Sequence, residues 1–154
     1  MFFNMTEIEN IKRDYALYQV ALKILLRRGG EVLMLRVSEE HYDFPGGRID
    51  NVEGKVPLMQ ILDREIQEEI GTDVKYQVGK PLFQFRRFYK GVYILQTVYD
   101  GEYLGGEVQL SEEHERFCWV NPHTTRFAEK EFCSKEEYEA VKNYFNKSKV
   151  LTTL

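Results

Sequence analysis

The chain has 154 residues, 43% of them hydrophobic and 30% charged, with a formal net charge of −4. That length supports one domain with a substantial core and is too short for two ordinary ones. The composition excludes a disordered chain, and the charge gives no general attraction to nucleic acid or an anionic membrane.

The N-terminal stretch MFFNMTEIENIKRDY has no basic lead followed by a long apolar run, so it does not read as a signal peptide. Residues 1–14 read as a loose arm or an edge segment. No window reaches the ~18 apolar residues of a membrane span, and a soluble, cytoplasmic protein is expected. From Tyr18 to Leu26 alternate residues are apolar, which predicts a strand with one buried face. Arg28-Gly29-Gly30-Glu31 predicts a hairpin turn, and Glu31 to Val37 a second strand. The loop from Ser38 to Phe44 leads into Pro45-Gly46-Gly47. With so little side-chain bulk, Gly46 and Gly47 suit either close approach of a bound phosphate or a plain tight turn.

A helix is predicted next, with Pro57 at its first position and Gly71 just past its end. At about 100° per residue, Leu58, Ile61 and Leu62 share one stripe, Glu65 and Glu69 project along its middle, and Glu68 sits at its flank. Three carboxylates at these spacings repel one another, and they lie in the last turns, where the helix dipole disfavours negative charge. A hard divalent cation would reverse both penalties. A solvated acidic face is the plainer alternative.

Beyond the helix, Val74 to Val78, Pro81 to Tyr89 and Val92 to Tyr99 are rich in β-branched and aromatic residues and predict three strands, the last two joined at Lys90-Gly91. The aromatic and basic run from Phe83 to Tyr89 is read as buried rings and solvated arginines, with base stacking and phosphate contact as the alternative. Phe117 to Asn121 predicts a further strand, in which Trp119 belongs to the core. Ser134-x-x-Glu137 is a capping box opening a helix that buries Tyr138, Val141, Tyr144 and Phe145 and ends near Ser148. The order of elements predicts an α/β fold with a mixed sheet covered by helices on both faces. Cys118 and Cys133 form neither a disulfide framework nor a metal pattern, and reduced thiols are expected.

The stretch from Gly47 to Thr72 resembles the signature of the Nudix hydrolases, G-x5-E-x7-R-E-U-x-E-E-x-G-U with U aliphatic. Gly47, Arg64, Glu65, Ile66, Glu68, Glu69 and Gly71 match, whereas the last aliphatic position is Thr72. Glu53 falls at the first glutamate position, but ten residues instead of seven separate it from Arg64, so three residues are inserted between Asp50 and Leu58. Glu53 is either the first glutamate displaced on a longer loop or a surface residue that meets the count.

The resemblance implies an α/β/α sandwich with a mixed, partly closed sheet. It also implies Mg²⁺- or Mn²⁺-dependent cleavage of a phosphoanhydride in a nucleoside diphosphate linked to another moiety: a nucleoside triphosphate, nucleotide sugar, ADP-ribose or dinucleoside polyphosphate. Glu65, Glu68 and Glu69 match metal-ligand positions, and Arg64 matches an arginine that orients a ligand carboxylate. The family's general base is sometimes supplied by a loop after the sheet. Here Ser111-Glu112-Glu113-His114-Glu115 is that loop, with Glu113 and Glu112 as candidates. Tyr89, 17 positions beyond Thr72, lies where diadenosine-polyphosphate hydrolases of the family carry a tyrosine. The expected partner is a phosphorylated small molecule; neither a nucleic acid polymer nor a membrane is expected, and a homodimer is compatible with the sequence. A second class of function, a nucleotide-binding or sensor module without turnover, usually loses signature carboxylates, which this chain keeps.

Overall fold

The computed structural model describes residues 14–38 and 40–152, with side chains to Ser148. Nearly all of the expected N-terminal arm lies outside the described residues. The strands are β1 (Gln19–Arg28), β2 (Glu31–Arg36), β3 (Tyr42–Asp43), β4 (Gly46–Arg48), β5 (Lys75–Tyr89), β6 (Val92–Gly105) and β7 (Arg116–Val120); the helices are α1 (Leu58–Ile70) and α2 (Lys135–Thr152). The sheet runs β3-β2-β1-β6-β5, with β4 also paired to β1 and β7 to β2.

β1 holds the middle of this sheet. It pairs parallel to β6 from Gln19↔Ile94 to Arg27↔Glu102 and antiparallel to β2 and β4. Helices cover both of its faces. Leu22, Ile24 and Leu26 pack with Ile61, Leu62, Ile66 and Ile70 of α1, whereas Leu25 packs on the other side with Val98 and with Val141 and Phe145 of α2. The expectation of one buried face for β1 is therefore corrected: residues 21–26 are all buried. A strand in a parallel pair with helices above and below reads as a continuous buried run.

The mixed sheet between helices is as expected. Its end strands β3 and β5 do not pair, so the sheet is open and not partly closed. The segments on either side of Pro81 form one strand, β5, whose pairing with β6 shifts register between Val78 and Phe83. A proline that cannot donate to the ladder is absorbed at such irregularities on an edge strand. The expected turn at Lys90-Gly91 is present, both residues having positive φ (48° and 79°). α2 begins as predicted, with the Glu137 amide donating to Ser134 Oγ at 3.1 Å, but the Glu137 carboxylate reaches back to the amide of Cys133. The helix continues four residues beyond Ser148. Trp119 packs against the core with Tyr103 edge-on, and the Arg28 guanidinium lies 3.9 Å from its ring centre.

Candidate active site

α1 starts after Pro57, which caps it instead of occupying its first turn, and ends at Gly71, whose φ of 91° suits glycine. Its buried stripe is Ile61, Leu62, Ile66 and Ile70. Leu58, expected in the stripe, is 49% exposed. Each buried aliphatic side chain contributes about 1.5–3 kcal/mol, enough for the helix to carry costly polar groups along the same edge. Glu69 is one of them, only 7% exposed. Glu65 is half-buried beside it, and Glu68 points outward with 60% of its side chain exposed.

Arg64 gathers the carboxylates. Its Nε and Nη2 donate to Glu53 Oε2 and Oε1 at 2.8 and 2.6 Å, Nη2 also donates to Glu65 Oε1 at 2.8 Å, and Nη1 to Glu68 Oε1 at 3.0 Å. The fork matches Glu53 in both shape and charge. Glu53 thus belongs to the site, and the inserted segment delivers it. Asn51–Glu53 forms a short 3-10 turn in which Asp50 accepts from the Val52 amide and Glu53 accepts from the Asp50 amide. The other residues from Asn51 to Val56 are exposed, as expected for an inserted loop.

The glycine pair lies on β4, and each glycine makes room for one carboxylate or one strand. The Gly46 amide donates to Glu69 Oε2 at 2.8 Å, and a Cβ at Gly46 would fall 2.0 Å from the Leu22 carbonyl oxygen. A Cβ at Gly47 would fall 2.1 Å from Glu65 Oε2. The reading of Pro45-Gly46-Gly47 as a tight turn is corrected accordingly, and the Gly46 amide is engaged by a carboxylate. Because the obstacle at Gly47 is the end of a flexible side chain, Gly47→Ala is expected to cost only about 1 kcal/mol of stability. Turning Glu65 aside should lower the hydrolysis that the signature implies roughly tenfold or more. A melt paired with an activity assay checks both, and unchanged turnover would show that the position of Glu65 is immaterial.

Behind Gly46 lies a buried ion pair that sequence reasoning missed. Lys23 Nζ donates to Asp43 Oδ2 at 3.0 Å and to the Gly46 carbonyl at 3.3 Å, with both side chains about one-tenth exposed. The signal was present: a lysine inside the apolar run Val20 to Leu26 must find a partner if both faces are covered. Burial pushes the Glu69 carboxyl up to about 7, against the attraction of Lys23 and the hydrogen bond from Gly46. Burial also raises Glu65, against Arg64.

The loop after β6 closes the other side. The Gln109 and Ser111 amides donate to the carbonyls of Ile70 and Glu69 at 2.9 and 3.1 Å. These contacts cap the end of α1 and bring Glu112 and Glu113 to the wall of a cleft of about 1200 Å³, with Glu53, Arg64, Glu65, Glu68 and Glu69 opposite. His114 is buried, and its imidazole is held below its ordinary pKa by that burial. The Phe83–Tyr89 stretch divides: Phe85 is buried, Arg86 pairs with Glu136 at 3.0 Å, and Phe88 and Tyr89 remain exposed.

Among the described residues, no three His, Cys, Asp or Glu side chains are gathered as metal ligands. The Arg64 guanidinium stands among Glu53, Glu65 and Glu68 and answers their charge. The donor set nevertheless fits a divalent ion: Glu65, Glu68 and Glu69 offer oxygen donors only, beside an open cleft. Among the described residues, no helix is long and apolar enough to cross a membrane.

A family model described as the NUDIX domain matches residues 17–141. No curated protein matches the chain significantly. Solved structures of similar fold include a MutT protein from Methanosarcina mazei Go1, with 22% identity, a TM-score of 0.67, and coverage of 92% of this chain and 100% of that one. The E. coli ORF135 protein is similar at 19% identity and a TM-score of 0.66, covering 86% and 92%. An ADP-ribose pyrophosphatase from Streptococcus suis 89-1591 is similar at 13% identity and a TM-score of 0.63, covering 86% and 92%.

Proposed function

The chain belongs to the NUDIX family of pyrophosphohydrolases, and from that premise we propose that it cleaves a phosphoanhydride in a nucleoside diphosphate linked to another moiety, at the cleft between α1 and the loop Ser111–Glu115. The observation that carries this reading is the convergence of Glu53, Glu65, Glu68 and Glu69 with Arg64 on that cleft. Glu65, Glu68 and Glu69 would hold Mg²⁺ or Mn²⁺, whose chemistry when bound is to neutralise phosphate oxygens and sharpen a water. Arg64 fixes the directions of Glu53, Glu65 and Glu68 through charge-assisted bonds. Glu113, across the cleft, is assigned as the base that takes a proton from the attacking water, with Glu112 beside it as the alternative. The water oxygen bonds to one phosphorus, the bridging P–O bond breaks, and the departing phosphate keeps the electron pair. Gly47 serves by admitting the Glu65 carboxylate, and Gly46 by its close approach to β1 and the amide it donates to Glu69.

The direct test is a phosphate-release assay with and without Mg²⁺ across nucleoside triphosphates, nucleotide sugars, ADP-ribose and dinucleoside polyphosphates, coupled to pyrophosphatase or phosphatase. Inactivity on all of them, with nucleotide still bound, would favour the binding module. Removing Gly54, Lys55 and Val56 gives a second check. Loop closure depends weakly on length, so the fold should survive, while kcat should fall about tenfold as Glu53 loses its approach to Arg64. An unfolded product would mean that the segment belongs to the core.

A further inference from the structure

The segment that leaves β7 after Val120 lines, together with α2, a cavity of about 500 Å³ that shares no residue with the carboxylate cleft. Asn121 sets the shape of this segment: its Oδ1 accepts from the His123 amide at 2.9 Å and its carbonyl from the Thr125 amide at 3.0 Å. Arg126 and Lys142 line the cavity, both exposed, and neither forms an ion pair among the described residues. No described Asp or Glu lines it, although the chain has 25 acidic residues against 21 lysines and arginines. The cavity is therefore a positive site on a negative protein. His123 Nδ1, in the same wall, is buried with no hydrogen-bond partner, so no bond at that nitrogen holds the ring against turning. Three aromatic rings share the wall. Phe127 and Phe145 lie nearly parallel, with ring centres 6.1 Å apart, and Lys142 Nζ stands 5.4 Å from the centre of the Tyr138 ring. Pro122, Thr124, Thr125 and Asn146 make up the uncharged remainder.

We propose that this cavity is a second binding site, for a phosphate monoester that carries a flat ring, with the phosphate at Arg126 and Lys142 and the ring against Phe127 and Tyr138. A guanidinium matches two phosphate oxygens at once, and an ammonium adds a compact charge beside it. A flat ring gains from stacking on aromatic side chains whatever its substituents, and Phe127 and Tyr138 are both half-buried, with part of each ring still open. A bare anion leaves those rings unused, and an uncharged ring leaves both cations without a counter-charge. The cavity lies within the range of small-ligand sites, about 300–1,000 Å³. A nucleoside monophosphate has the required chemistry. The site stands apart from the reaction cleft, and its test needs no turnover.

Two-dimensional amide NMR of the full chain in EDTA, titrated separately with AMP, inorganic phosphate and adenosine, tests the assignment. AMP should shift the amides of residues 123–127 and 142–146 and bind about tenfold or more tightly than phosphate or adenosine, each of which lacks one half of the contacts. Replacing Arg126 and Lys142 together by Ala should weaken AMP by about tenfold or more, because both charged donors are lost. Lys142→Gln, a milder change at an exposed position, should weaken it by about threefold or more and covers a double variant that does not fold. Rising salt should weaken AMP as well, since the cations are exposed. Shifts confined to residues 65–69 and 111–115, or no shift at 123–127 with millimolar AMP, would overturn the site and leave the hydrolase standing. Equal affinity for AMP and phosphate, or for AMP and adenosine, would overturn the ring-bearing phosphate monoester as its ligand. Unweakened binding in both variants would remove Arg126 and Lys142 from it.

Discussion

Replacing Glu69 by Gln is expected to lower hydrolysis at least about 100-fold, the usual scale for removing a group that organises transition-state charge, without destabilising the metal-free protein. The shape is kept, so the hydrogen bond from the Gly46 amide at 2.8 Å can survive. What disappears is a charge that burial opposes, as the rise of this carboxyl to about 7 records. Against an ordinary value of 4.5, that opposition amounts to something on the order of 3 kcal/mol above neutral pH. Part of the relief is lost because a buried amide needs partners of its own, so a net gain of about 1–2 kcal/mol is expected in EDTA at pH 8. Adding Mg²⁺ should narrow or reverse the order, since an ion that binds only the folded parent stabilises it by about 2.7 kcal/mol at 100 times its dissociation constant. Melts of both proteins with EDTA and with Mg²⁺, beside the activity assay, decide the matter. A variant that melts lower in EDTA, gains the same Mg²⁺ shift and keeps full turnover would make Glu69 a structural hydrogen-bonding residue.

The pH dependence of stability should be read at Glu137, which lies in the first turn of α2 and is not one of the proposed metal ligands. Burial, and then the nearby Asp43, push its carboxyl up to about 7, against the Cys133 amide, Arg87 and Lys23. Because the folded value is raised, the folded chain holds a proton between about pH 4.5 and 7 that the unfolded chain has released. The contribution is therefore complete below about pH 4.5, falls as pH rises, and is gone above about pH 7, a change on the order of 3 kcal/mol. Glu137→Gln should match the parent at pH 4.5 and exceed it at pH 8 by about 2–3 kcal/mol. Urea unfolding of the two proteins at these pH values measures it, and a constant difference across the range would mean that Glu137 ionises alike in both states.

The residues whose behaviour follows from chain-local rules were legible in the sequence. Ile61 and Leu62 of the α1 stripe, Gly71 at its end, the Lys90-Gly91 turn and the Ser134 cap depend on neighbours three or four positions away, whereas Leu58 fell outside the stripe. Resemblance to the Nudix signature supplied the family and the carboxylate positions, and spacing exposed the insertion. What escaped was set by distant partners. Whether Glu53 faced solvent or Arg64 depended on how a 3-10 turn folds back across eleven positions of chain. Lys23 could be recognised as paired only once β1 was known to be covered on both faces, which requires α2, more than a hundred residues later. β3 and β4 are two and three residues long, too short for any alternation to declare them.

The hydrogen bonds from the Gln109 and Ser111 amides to the last carbonyls of α1 have a consequence for how the protein opens. By sequence these amides belong to a surface loop; by bonding they belong to the helix. Their hydrogen exchange should follow that of the final turn of α1 and not that of the neighbouring exposed residues Glu112 and Glu113. The end of the helix and the loop then form one cooperative unit, in which fraying of the last turn releases Glu69 and the opposite wall of the cleft in the same event, and half-assembled sites stay scarce.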